Sequence, residues 1–112
     1  MQVSQGSELA HALRHATERD VVYEEQHLIV HGSDTSTKVG CRPIGVRGVP
    51  VPRPPLVAYV RAEDLRGAYW YVLDWSKGGA SGLHDETLVD SEEEARSLVF
   101  ARLRAAAAAG LL

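Results

Sequence analysis

Residues 56–75 read LVAYVRAEDLRGAYWYVLDW, and the rest of the chain is best understood outward from them. Leu56 to Val60 has the β-branched and aromatic content of a strand, Glu63 to Gly67 supply turn chemistry, and Ala68 to Trp75 form a second strand. The pair predicts an antiparallel hairpin. Successive strand side chains point to opposite faces, so Tyr69, Tyr71, Leu73 and Trp75 share one side while Trp70, Val72 and Asp74 share the other. Both sides carry large aromatics. Either the strand is covered on both faces, or one aromatic face is open and presents interface anchors.

Downstream, Ser76 to Gly82 reads as a glycine-rich connection and Leu83 to Val89 as a returning third strand. Ser91 and Glu94 then make an S-x-x-E capping box, which predicts a helix over 91–109. Ala95, Leu98, Val99, Leu103 and Ala106 would line its inner face, and Gly110 would end it. Upstream, all five prolines (43, 50, 52, 54 and 55) fall among Gly40, Gly45 and Gly48. Proline cannot donate to a sheet ladder, so an irregular loop is expected over about 32–55. Farther upstream, Ser7 as cap and Leu9, Ala12, Leu13 and Ala16 at helical spacing predict a helix over 7–19. Val21 to Tyr23 and His27 to His31 follow as two short strands or one bent strand. This order predicts one α+β domain over residues 1–112, with N-terminal and C-terminal helices packed on a small antiparallel sheet beside a proline-rich loop.

The 112 residues carry a formal charge of −3, which disfavours a general nucleic-acid-coating role. That total hides a segmentation. Residues 35–62 hold five bases and no acid, whereas 1–34 and 63–112 are each −4. A single cysteine, Cys41, excludes an internal disulfide framework and multi-thiolate metal sites. No apolar run approaches a membrane span, and the start lacks a secretion signal, so a cytoplasmic protein is expected.

Candidate chemistry is scattered. His11 and His15, four apart on a helix with Glu8 one turn before, come within roughly 6 Å but lack a third ligand, so no bound metal is expected. His27 and His31 on a strand would be about 13 Å apart, too far for one ion. Cys41, His84 and Asp85 have the residue types of a thiol triad without a flanking signature. Residues 77–82 are glycine-rich without the order of a phosphate loop. Neighbouring carboxylates Asp85 and Glu86 on a strand point apart, which disfavours shared acid–base work.

Two features stand above this background. Six carboxylates and no base occupy residues 85–94; Glu92, Glu93 and Glu94 suit a helix first turn, which leaves Asp85, Glu86 and Asp90 to dock a basic partner surface. The aromatic hairpin offers Trp70, Tyr71 and Trp75 as anchors. Arg42, Arg47 and Arg53 supply a rival basic surface for an acidic partner. The expectation is a non-enzymatic inhibitor without cofactor that binds a partner protein, of the bacterial immunity or antitoxin kind that neutralises a toxin or effector enzyme. The Ala-, Arg- and Gly-rich usage fits a GC-rich bacterial or phage source, and a phage anti-defence inhibitor is the nearest alternative. A small enzyme, or a nucleic-acid binder using residues 38–61 with Tyr59 stacking on bases, are the alternatives from other classes.

Overall fold

The computed structural model describes residues 5–28, 37–76 and 84–112. In chain order these form α1 (Gln5–His15), a 3₁₀ turn (Glu18–Asp20), β1 (Val21–Leu28), β2 (Thr37–Val46), β3 (Val49–Pro50), β4 (Val57–Asp64), β5 (Gly67–Asp74), β6 (Asp85–Val89) and α2 (Glu92–Ala108). The strands make one antiparallel sheet in the order β1-β2-β4-β5-β6, with β3 paired to β2.

The central hairpin forms, but its first strand runs on through Asp64, so Glu63, Asp64 and Gly67 of the expected turn are paired strand residues. Asp64 pairs with Gly67 across a two-residue loop, and Gly67 takes a φ of 131°, a backbone open to glycine. The Asp64 carboxylate accepts from the Arg66 amide at 2.7 Å and closes the turn. The C-terminal helix also starts at its box. Ser91 accepts from the Glu94 amide at 3.1 Å, and the Glu94 carboxylate accepts from the Asp90 amide at 3.0 Å.

Three other expectations are corrected. The helix expected over 7–19 begins earlier, so Ser7 lies within it, and it stops at His15 before the separate 3₁₀ turn. The two short strands merge into β1; His31, like residues 77–82, lies outside the described residues. Most important, residues 37–46 of the expected loop form a ten-residue strand. Pro43 is tolerated there because the β4 ladder ends at Cys41, and on the β1 side the register shifts at Val22/Tyr23, opposite the proline. β2 then reverses through Arg47 and Gly48, whose φ values of 50° and 81° are both positive, as a primed two-residue turn demands.

Both helices lie on one face of this sheet. Leu9 and Leu13 of α1 and Ala95, Val99 and Leu103 of α2 bury against Val39, Cys41, Val57, Tyr59, Val72 and Val89. All are at most 7% exposed, and each large side chain among them contributes roughly 1.5–3 kcal/mol by leaving water. Leu98 and Trp70 are half-buried at the margin of this core. Polar groups tie the layers together. Asp74, 4% exposed, accepts from Arg102 of α2 at 3.1 Å and from the Ser76 amide and hydroxyl at 2.8 and 2.6 Å. Arg96 donates to the Tyr59 hydroxyl at 3.0 Å and sits 5.1 Å over the Tyr23 ring, while Ser97 donates to Glu18.

Candidate functional site

The second face of the sheet has neither helix on it, and its side chains follow from the register. One row crosses the five strands as Gln26, Gly40, Val60, Tyr71 and Leu88. Beside it, Arg42 pairs with Glu24 on β1, and Ala58, Leu73 and Glu86 continue the line toward β6. The small residues Gly40 and Ala58 sit between larger neighbours, and the result is a groove of about 480 Å³. Leu73 and Trp75 wall it on the β5 side, and Pro54, Pro55 and Leu56 close one end. A hydrogen bond of 2.8 Å from the Trp75 amide to the Leu56 carbonyl holds that end together.

Charge is placed at both flanks. On the β1–β2 side, Arg42 donates to Glu24 through its Nε at 2.9 Å and through Nη2, and Arg53 reaches the same carboxylate oxygen at 3.2 Å. Two guanidiniums therefore share one carboxylate. Their hydrogen bonds and charge hold the Glu24 carboxyl below its ordinary range. On the β6 side, Glu86 meets His84 at 3.2 Å, and the His84 ring lies 5.5 Å from the Trp75 ring. Tyr71 stacks near Tyr69 with centroids 6.2 Å apart, and partial burial raises its phenol. Leu88 is 71% exposed beside it.

The residues singled out from sequence thus divide. Arg42, Arg53, Tyr71, Trp75 and Glu86 come together on or beside the open face. Trp70 lies on the helix-covered face with Val72 and Asp74 and packs against the core, so Trp75 is the tryptophan on the open side. Arg47 is diverted: it sits in the β2–β3 turn and donates to the His15 carbonyl at 2.9 Å. Asp85 points to the opposite side of β6 from Glu86, and Asp90 lies at the start of α2. The acidic run is therefore split over three directions. Leu73 shares this face with Tyr71 and Trp75 as the alternation predicts; Glu24 and Leu88 belong to it and were missed, Glu24 because no local signal links it to arginines 18 and 29 residues away.

The other chemical candidates resolve simply. Cys41 sits in β2 rather than in a loop, 1% exposed on the helix side, and burial pushes its thiol up, away from the reactive thiolate. Three strand spacings, about 14 Å, separate its strand from β6, which starts beside His84. Tyr59, at 0% exposure, is a core residue and cannot stack on a base. His11 and His15 do come together, with ring centroids 4.6 Å apart and ring planes tilted by 56°. Among the described residues no three His, Cys, Asp or Glu side chains group as metal ligands, and no helix is long and apolar enough to cross a membrane.

Set beside known protein families, curated proteins and solved structures, the chain matches none.

Proposed function

We propose that this protein is a small inhibitor, of the bacterial immunity or antitoxin kind, that docks on a partner enzyme or toxin through the open face of its sheet. The observation that carries this reading is the side-by-side placement of Tyr71, Leu73, Trp75 and Leu88 on a rigid, helix-free face with arginines at one flank and a glutamate at the other. Aromatic anchors on regular structure lose little entropy on binding, and flanking charges of opposite sign set orientation. The partner surface that fits is apolar at its centre, with an acidic group facing Arg42 and Arg53 and a basic group facing Glu86. The bases of residues 38–61 support a protein partner over a nucleic acid, since two of the five turn away from the open face and two share a carboxylate on it. Arg47 is held on His15 and Arg61 sits half-buried on the helix side, while Arg42 and Arg53 are paired with Glu24.

The test uses the full chain as bait, alongside Trp75→Ala, Leu73→Glu and the helix-face change Arg104→Glu. A partner should be retained by the native and Arg104→Glu chains and lost by the other two. Trp75→Ala should cost about 2 kcal/mol or more if it is a hot spot. The retained partner, once purified, should lose its activity when the native chain is added. Full activity in the complex, recovery of nucleic acid alone, or substrate turnover by the isolated chain would reject the proposal.

A further inference from the structure

We infer that the groove over Gly40 and Ala58 is a binding site for a small apolar monocarboxylic acid, its carboxylate on Arg42 and Arg53 and its hydrocarbon body against Leu73 and Trp75. This goes beyond partner docking and stands without it.

Three features of the groove select that ligand. Its volume of about 480 Å³ lies within the range of small-molecule sites, about 300–1,000 Å³. Its floor and far wall are apolar, and Arg42 is the single charged side chain among the described lining residues. Arg42 lines the groove and Arg53 stands at its flank, two guanidiniums sharing the single carboxylate of Glu24, so this flank offers more donors than Glu24 accepts. A second carboxylate suits those donors, since the fork of a guanidinium matches carboxylate geometry. Gln26, on the same flank, adds an amide donor.

The same geometry argues against an extended peptide as occupant. The groove lies over β2, β4 and β5, whose backbone N–H and C=O groups run in the plane of the sheet rather than up from its face, and these are paired along β4–β5 and along β2–β4 as far as Cys41–Tyr59. Peptide bonds buried on the paired part of this floor would find no backbone partner, and each unsatisfied group is costly. A hydrocarbon chain or ring carries no such groups. The apolar body gains from covering Leu73, Trp75 and the Pro54–Pro55 wall, and the polar end stays at the flank where donors and water are present.

The experiment is calorimetric titration of the full chain with octanoate, 1-octanol and acetate. Octanoate should bind saturably at one site, 1-octanol about tenfold or more weaker, and acetate without detectable saturation up to about 10 mM. Arg42→Gln and Arg53→Gln should each weaken octanoate by about fivefold to tenfold, and Ala58→Leu, which fills the floor without touching charge, should abolish it. Arg104→Gln, on α2, should leave it unchanged. As a second readout, Trp70→Phe leaves Trp75 as the sole tryptophan, and its emission should shift with octanoate at the calorimetric affinity. Should that variant fail to fold, the native-chain titrations carry the test. Equal affinity for octanol, octanoate binding that survives Ala58→Leu, or no saturation by octanoate would overturn the inference. So would a concentration-dependent dimer that octanoate does not dissociate, since a second copy would then be the occupant.

Discussion

Along β5, Val72 and Asp74 are sealed beneath α2 at 2% and 4% exposure, while the intervening Leu73 and the following Trp75 line an open groove. The two faces solve different problems with the same strands. On the helix side the apolar side chains interlock with Leu9, Leu13, Val99 and Leu103, and the carboxylate of Asp74 satisfies itself with Arg102 and Ser76. On the open side small residues interrupt the larger ones, and the ion pairs among Glu24, Arg42 and Arg53 stand in partial contact with water. The comparison teaches that similar residue types do unlike work on the two sides. A buried charge pair is strongly coupled to the fold because breaking it strands a desolvated charge; an exposed pair is screened and available to a ligand.

The contrast is broken most directly by matched truncations. Leu103→Ala should destabilise by about 3 kcal/mol, within the range for a buried leucine, whereas Leu73→Ala should cost well under that and act on binding. Denaturant midpoints check both, and equal losses would mean that the faces are not distinct. Next comes the buried carboxylate. Asp74→Ala should cost about 2–3 kcal/mol by leaving Arg102 and the Ser76 amide without their partner, and Arg102→Ala together with it should cost less than the two singles added. Additive losses in that double-mutant cycle would show that the pair is not coupled.

The smallest effect sharpens the open side. Because Arg42 and Arg53 depress the folded Glu24 carboxyl, its stabilisation is present above the unfolded carboxyl's pKa and disappears as pH falls through the folded value. The native chain should therefore lose slightly more stability on acidification than Glu24→Gln does, with the two converging at the acid end. Parallel curves would mean that the arginines serve a ligand and contribute nothing to folding.

Much of the architecture was legible because it rests on local rules. Alternation sorted Tyr69, Tyr71, Leu73 and Trp75 from Trp70, Val72 and Asp74, and the Ser91–Glu94 box marked the start of α2. β2 escaped because its strand signal is diluted by Gly40, Gly45 and Pro43, and because Arg47 holds a positive-φ position where Asn or Asp is the usual cue. The candidate site was half visible. Trp75, Tyr71, Glu86, Arg42 and Arg53 were named from their residue types, but Trp70, Arg47, Asp85 and Asp90 were grouped with them on proximity in the chain.

Periodicity and capping are properties of neighbouring residues, so the amino-acid order alone was enough to specify a hairpin, its two faces and a capped helix. Which face the helices would cover, and whether Arg42 and Arg53 would meet Glu24, depended on pairings between residues 18 to 29 positions apart. Such contacts form only after β1, β2 and the 51–56 segment have closed their loops, and no local preference records that outcome. The groove belongs to the same class: Gly40 and Ala58 are unremarkable in the chain and become a floor only when β2 and β4 lie side by side.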